Sequence, residues 1–150
     1  EAQIQTLLQA AIAAPSGGNR QPWHFYVITN RALIDEIVEN ACRQQFLKTA
    51  PVLITVCAEP GRSGASYSER GETLYCIQDT AAAVQNILLA ATEIGLGTCW
   101  CGAFDEQALA KTLSLPEGQR PVALIPVGYF EKTPPARPRR PLDEVVTFLK

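Results

Sequence analysis

A run of small and polar residues follows the first helical segment and is the first candidate for ligand contact. Pro15 and the Ser16-Gly17-Gly18-Asn19 sequence behind it have the composition of a turn. Small side chains let a main chain approach a flat ligand closely, and the N–H groups of such a turn can bond its polar edge. The alternative is an ordinary loop that ends a helix.

A second candidate is the sequence Trp100-Cys101-Gly102-Ala103, where small residues would let the main chain lie against a ligand. The alternative is the end of a strand with a glycine bulge. Cys99 and Cys101 could suggest a metal site or a redox pair, since alternation in a strand would put both thiols on one face. No second Cys or His pair completes a zinc site, so we expect no metal.

Two arginines near the carboxyl terminus form the third candidate. Arg137 and Arg139 lie two residues apart on a proline-rich segment, so in an extended chain both point the same way. Paired guanidinium groups suit a phosphate. We expect Arg140 to point the opposite way into solvent. A basic surface tail is the alternative.

His24 is the one histidine of the sequence, and it follows Trp23 at the start of a strand pattern. A single His beside core residues is usually structural, so we do not expect it to act as a general base. The sequence offers no acid–base pair, and any protons would come from solvent.

The elements that must position these residues alternate between helix and strand patterns. Helices are predicted at 2–14, 32–42, 74–94 and 105–113, and strands at 25–29, 52–58, 98–101 and 122–129. The pattern indicates a layered α+β protein, or a mixed sheet with helices on its faces. The order of the strands cannot be read from it.

Three segments lack a clear helix or strand pattern. Residues 59–72 contain Pro, three Gly and three Ser, which predicts a mobile loop. Residues 131–141 contain four prolines and three arginines and predict an extended arm. Residues 145–149 could add an edge strand or a short helix. We take residues 131–150 together as a carboxyl-terminal arm of one domain that spans 1–150.

The helix at 74–94 is unusual because its middle, residues 81–91, is nearly apolar all round. Such a helix must be buried on most sides. In a chain this small, that places it at the centre of the domain, against a partner subunit, or both.

Composition narrows the class of protein. The chain has 150 residues, 47% of them hydrophobic and 19% charged, with a net charge of -2. These values fit one globular domain and give no general attraction to nucleic acid or an anionic membrane. No apolar run is long enough to span a membrane. The five cysteines form no regular framework, which favours free thiols in the cytoplasm.

The sequence contains no methionine, not even at position 1. We therefore expect a segment upstream of Glu1 in the native protein.

Three blocks of the sequence resemble the nitroreductase family. Residues 14–25 (APSGGNRQPWHF) resemble its signature A-P-S-x-x-N-x-Q-P-W-x-F. Residues 86–91 (NILLAA) and 95–104 (GLGTCWCGAF) are similar to its central helix and the turn under its flavin. Residues 126–129 (PVGY) and 137–142 (RPRRPL) look like its last core strand and basic tail. The resemblance is in register over essentially the whole chain.

This resemblance implies a fold, a cofactor and a partner. The family fold is a three-layer α+β sandwich with a mixed, mostly antiparallel sheet, and it forms an intertwined homodimer. Two FMN molecules lie at the dimer interface. The helix at 74–94 would then be the dimer core.

The resemblance also assigns the candidate residues to FMN. The first turn would contact the isoalloxazine edge and the ribityl chain, often from the neighbouring subunit, through Pro15, Ser16, Gly17 and Asn19. The second turn would lie against the ring through Trp100, Cys101, Gly102 and Ala103, with the Gly102 N–H as donor to the flavin N5. Arg137 and Arg139 would hold the phosphate. The arginine-rich segment that family members usually carry before the first helix is not seen in this sequence.

The implied activity is transfer of hydride or electrons from NAD(P)H to a small organic acceptor, such as a nitroaromatic or a quinone, by a ping-pong cycle. The cofactor would carry the chemistry, so no catalytic side chain is expected. Two alternatives remain open. One is a different reaction of the same fold, such as dehalogenation or flavin or azoline chemistry, and the other is a non-catalytic FMN-binding dimer.

Overall fold

The computed structural model describes residues 1–132 and 134–149, which form four strands, five α-helices and several shorter turns of helix. The strands are β1 Trp23–Ile28, β2 Val52–Ala58, β3 Gly97–Thr98 and β4 Arg120–Gly128. The α-helices are α1 Ala2–Ile12, α2 Arg31–Ile37, α3 Pro60–Arg70, α4 Cys76–Glu93 and α5 Glu106–Thr112.

The strands form one sheet in the order β1-β2-β4-β3. All pairings found in residues 1–132 and 134–149 are antiparallel, so the parallel component of the expected mixed sheet is not seen there. β2 lies between β1 and β4 and is buried from Leu53 to Ala58. The strand predicted at 52–58 is confirmed, and its nearly continuous apolar sequence is typical of a strand covered on both faces.

Helices cover both faces of the sheet and complete three layers. On one face α1 and α4 pack against Ile54, Val56 and Ile125. On the other face α2 and α5 pack against Leu53 and Leu124. Adjacent strand residues point to opposite faces, which is why Leu53 and Ile54 belong to different clusters. The predicted α+β class is confirmed.

α4 is buried on one side only in the single chain. Ala83, Val84, Ile87 and Ala91 are fully buried, whereas Leu89 is 60% exposed. The expectation of burial on most sides is therefore not met within one chain. The exposed side of α4 keeps an apolar residue that this chain does not cover.

The loop predicted at 59–72 is wrong, because the structure places α3 there, followed by a π-helical turn, Gly71–Tyr75. Pro60 suits the first turn of a helix, where its missing N–H is not needed. Gly71 lets the backbone of Ser63 come close, since a Cβ at Gly71 would lie 2.4 Å from the Ser63 carbonyl oxygen. Tertiary packing has overridden the weak helix propensity of glycine and serine.

Two other boundaries differ from the sequence prediction. The helix predicted at 32–42 is α2 followed by a π-helical turn, Val38–Cys42. The segment 145–149 forms neither a strand nor a helix; a short 3-10 turn, Leu142–Glu144, precedes it. Phe148 is 85% exposed, and a strand there would need a sheet edge that the segment does not reach in this chain.

The helix predicted at 105–113 is α5, and its first predicted residue, Asp105, caps it by accepting a hydrogen bond from the Ala108 N–H at 2.9 Å. Among the helices that the structure describes, none combines the length and the apolar character needed to cross a membrane.

Candidate functional site

The first candidate turn is a short 3-10 helix, Gly17–Asn19, directly after α1. Gly18 and Asn19 have positive φ angles of 56° and 54°, a left-handed backbone that glycine and asparagine tolerate best. The Ser16 hydroxyl oxygen accepts a hydrogen bond from the Gln21 N–H at 3.0 Å. Pro15 and Asn19 are exposed, and Ser16 and Gly17 are half-buried. The turn thus presents small polar groups at the surface, as predicted.

The Gly17 N–H is held by a residue that sequence reasoning missed. It donates to both carboxylate oxygens of Asp79, each 3.2 Å away. Burial raises the pKa of the Asp79 carboxyl, and the hydrogen bond from Gly17 only partly offsets this. An acidic residue at the start of an otherwise apolar helix was the available sequence signal.

The second candidate turn leaves the sheet at β4. Cys101 and Leu124 exchange two backbone hydrogen bonds of 2.9 Å, and Cys101 is buried while Trp100, Gly102 and Ala103 are exposed. A Cβ built on Gly102 would meet no atom within 4 Å. In the part of the chain that the structure describes, the Gly102 N–H has no acceptor. The turn is therefore open, with a free donor.

The two cysteines of this segment have different surroundings. Cys99 is exposed and Cys101 is buried. Burial, together with the neighbouring Cys99, raises the pKa of the Cys101 thiol to about 12, so this thiol is protonated at neutral pH. No cluster of three or more His, Cys, Asp or Glu residues that could hold a metal occurs among residues 1–132 and 134–149.

The arm arginines are exposed, as predicted. Arg139 donates from Nη1 to the backbone carbonyl of Arg137 at 3.1 Å. Within the described residues, neither Arg137 nor Arg139 forms an ion pair with a carboxylate. Arg140 faces solvent as expected, with 70% of its side chain exposed, and its Nε also lies 3.2 Å from a Glu144 carboxylate oxygen.

His24 lies on the surface, with Nδ1 4.0 Å from a Glu59 carboxylate oxygen and its ring 4.8 Å from the ring of Tyr26. These contacts tie the end of β1 to its neighbours, which agrees with a structural role.

A cavity of about 470 Å³ lies between the two later candidate segments. Its walls include Thr98 and Cys99, just before the second turn, and Phe130 and Pro134, at the start of the arm. Further wall residues come from distant parts of the chain: Phe46, Thr49, Ala50, Pro51, Thr92, Leu96, Gly97, Pro126, Gly128 and Tyr129. None of the ten residues predicted to bind the cofactor is part of this wall. No motif marks Phe46 or Pro51, so sequence reasoning could not have found them.

The two candidate turns belong to different layers of the fold. The first contacts Asp79, in the first turn of α4, and α4 packs with α1 on one face of the sheet. Cys101 of the second turn packs in the cluster that α2 and α5 form on the other face.

Comparison with known proteins decides the family. A sequence model of the nitroreductase family matches residues 1–41 and 33–129. The chain belongs to the nitroreductase family. The family and the oxidoreductase class predicted from the sequence are therefore confirmed.

Individual nitroreductase-family proteins are similar over most of the chain. A protein of Archaeoglobus fulgidus with the provisional name NADH dehydrogenase/NAD(P)H nitroreductase is 37% identical over 130 residues, which are 84% of this chain and 71% of that protein. A nitroreductase family protein of Clostridium difficile superimposes with a TM-score of 0.86 at 29% identity, covering 99% of this chain and 86% of the other. The NADPH:FMN oxidoreductase of Vibrio harveyi, solved with NAD+, gives 0.87 at 26% identity, covering 98% and 67%.

Proposed function

We propose that this protein is an FMN-dependent oxidoreductase that passes electrons from NAD(P)H to a small organic acceptor by a ping-pong cycle. The observation that carries the proposal is the second turn, where the exposed Gly102 offers a free N–H beneath open space. The similarity to an NADPH:FMN oxidoreductase supports the choice of cofactor and reductant.

The residues present fit a flavin. A flat ring can lie against Gly102 because no atom occupies the space above it. The exposed amide of Asn19 suits the polar edge of the ring or the ribityl hydroxyls. Arg137 and Arg139 have no carboxylate partner among the described residues and can pair with a phosphate.

Each part of the chain then has a defined task. A bound flavin supplies two-electron chemistry, taking electrons from a reduced nicotinamide and giving them to an acceptor. The Gly102 N–H orients the ring, and the arm arginines hold the phosphate. No acid–base side chain is required, because solvent supplies the protons.

The complete site would be built from two copies of the chain. In one chain the first turn packs on α4 through Asp79, whereas Cys101 of the second turn packs on the opposite face of the sheet, so a second copy would bring its first turn to the second turn of its partner. The exposed Leu89 on α4 supports this arrangement, since an apolar side chain there favours burial against another subunit.

The test is titration of the purified protein with FMN, followed by NADH or NADPH under anaerobic conditions. We expect quenching of flavin fluorescence on binding and bleaching of the flavin absorbance on reduction. Gly102→Ala is the informative variant. The alanine methyl group would contact no atom of the free protein, but it would overlap a flavin ring that lies against the main chain. We expect FMN affinity to fall by at least tenfold, or about 1.4 kcal/mol, with an unchanged melting temperature.

Gly61→Ala is the matched control, because a Cβ at Gly61 also meets nothing within 4 Å and this residue lies on α3, away from the second turn. Equal FMN affinity in both variants would refute the assigned position of the ring. A protein that ignores FMN would refute the proposed function. Bound flavin that neither nicotinamide reduces would favour a non-catalytic dimer, and product analysis across halogenated, nitro and quinone acceptors would reveal a different reaction.

A further inference from the structure

Asp79 is a buried acidic residue that the proposed chemistry does not use. It is 8% exposed, and its two carboxylate oxygens each lie 3.2 Å from the backbone nitrogen of Gly17, 62 residues away. In the described part of the chain, no Lys, Arg or His forms an ion pair with it. Burying a carboxylate without a cation is costly. Among the described residues, the hydrogen-bond partner of the buried Asp79 carboxylate is the backbone N–H of Gly17 in the first turn.

The turn that Asp79 holds has a backbone that does not form readily by itself. Gly18, Asn19 and Gln21 have φ angles of 56°, 54° and 50°. Left-handed backbone at non-glycine residues is unfavourable and persists only where the surrounding structure imposes it. Such conformations are common at ligand clamps.

The surroundings impose this shape from two sides. From outside the core, the Ser16 hydroxyl accepts the Gln21 N–H at 3.0 Å. From inside, Asp79 accepts the Gly17 N–H. Asp79 is therefore the tie between the turn and α4.

Two tyrosine rings enclose the Asp79–Gly17 contact. Tyr67 and Tyr75 meet edge to face with their centroids 5.1 Å apart. A Cβ built on Gly17 would lie 3.6 Å from each ring and 3.9 Å from an Asp79 oxygen. The rings limit access of water, which strengthens a hydrogen bond to a charged acceptor. An added Cβ at residue 17 would therefore be in ordinary van der Waals contact with both rings.

We propose that Asp79 is a positioning residue: by accepting the Gly17 N–H, it anchors the turn in which Gly18 and Asn19 are left-handed, and this shape presents the Asn19 amide and the Gly18 N–H to the flavin. This inference rests on the proposed function. Asp79 touches no ligand itself and acts through the turn.

The variants that test this role are Asp79→Asn and Asp79→Ala. Asparagine keeps the shape but has one acceptor oxygen in place of two, and its amide NH₂ opposes the Gly17 N–H. Alanine removes the acceptor altogether. Thr80→Val is the matched control, because Thr80 is also buried but its hydroxyl donates only to carbonyls of its own helical region, at 2.8 Å and 3.0 Å.

Two measurements separate positioning from general stability. The first is hydrogen–deuterium exchange of a peptide spanning residues 14–22 in the FMN-free protein, which does not depend on any ligand. We expect faster exchange in both Asp79 variants and unchanged exchange in Thr80→Val. The second is FMN affinity from fluorescence quenching. We expect the dissociation constant for FMN to rise about tenfold for Asp79→Asn and more for Asp79→Ala. For Thr80→Val we expect a rise of less than twofold, even if its melting temperature falls as much as that of the Asp79 variants.

The outcomes are distinguishable. Unchanged exchange in the Asp79 variants, or an equal change in Thr80→Val, would overturn the positioning role. Faster exchange with unaltered FMN affinity would also overturn it, since the turn would then not present the ligand contacts. A wild-type protein that binds no FMN would overturn the proposed function and this inference together.

Discussion

At the scale of single residues, Arg137 and Arg139 differ from Arg140 in whether a carboxylate pairs with the guanidinium group. Both lack a carboxylate partner among residues 1–132 and 134–149, whereas Arg140 is paired with Glu144. A guanidinium group without a carboxylate partner is available to an anion. The sequence predicted this difference in part, from the two-residue spacing of an extended chain.

We predict that Arg137→Gln and Arg139→Gln each weaken FMN binding about tenfold. This is the low end for a charge-assisted hydrogen bond, because exposed charges are screened by solvent. Binding of riboflavin, which has no phosphate, should not change. Fluorescence titration with the two ligands measures both effects.

Arg140→Gln is the control for this prediction, since Arg140 is already engaged by Glu144. If Arg140→Gln weakens FMN binding as much as the other two, or if riboflavin loses the same affinity, the arginines do not hold the phosphate.

At the scale of secondary-structure elements, α3 is the helix that the sequence pattern did not predict. Its glycines and serines have low helix propensity, so residues 59–72 were predicted as a loop. α3 is interrupted by a kink at Ser68, whose φ is 50° and ψ is -142°, and beyond it the chain folds back so that Gly71 lies against the backbone of Ser63. This contact depends on the absence of a side chain at one residue.

We therefore predict that Gly71→Ala destabilises the protein by about 3 kcal/mol, the upper range for overpacking. The added Cβ would lie 2.4 Å from the Ser63 carbonyl oxygen, and backbone cannot move aside as a flexible side chain can. Urea unfolding of the FMN-free protein measures the change.

The same measurement on Gly61→Ala gives the comparison. A Cβ there meets nothing within 4 Å, so we expect a gain of about 0.5–1 kcal/mol from helix propensity. A Gly71→Ala protein as stable as wild type would mean that α3 does not pack in this way.

At the scale of the whole molecule, α4 raises the question of subunit number. Leu89 lies on an α4 surface that this chain leaves open. An exposed apolar side chain at that position favours the proposed homodimer.

We predict that Leu89→Gln weakens dimerisation by about 100-fold. In a symmetric pair the change removes two apolar contacts of about 1.5 kcal/mol each, and glutamine preserves the helix. Analytical ultracentrifugation over a concentration series gives the dissociation constant. FMN binding should fall in parallel, because the slot needs both subunits.

Lys111→Ala is the control, as Lys111 is exposed on α5 on the opposite face of the sheet. A Leu89→Gln protein that stays dimeric and binds FMN as wild type does would remove α4 from the interface.

The sequence alone determined the features that depend on short stretches of chain. The buried β2 strand, the Asp105 cap, the glycine-rich first turn and the extended arm follow from periodicity and local chemistry, and these patterns also carried the family resemblance. Each such signal is confined to a few neighbouring residues, so no knowledge of the chain's path is required.

Only the tertiary structure decided which distant residues meet. Asp79 beneath Gly17, the Phe46 and Pro51 walls of the cavity and the close approach of Gly71 to Ser63 depend on how helices and strands pack. The placement of the two candidate turns on different faces of the sheet depends on it as well. The physical reason is that such contacts join segments far apart in sequence. Their free energy is set by packing and burial over the whole core, which no local pattern records.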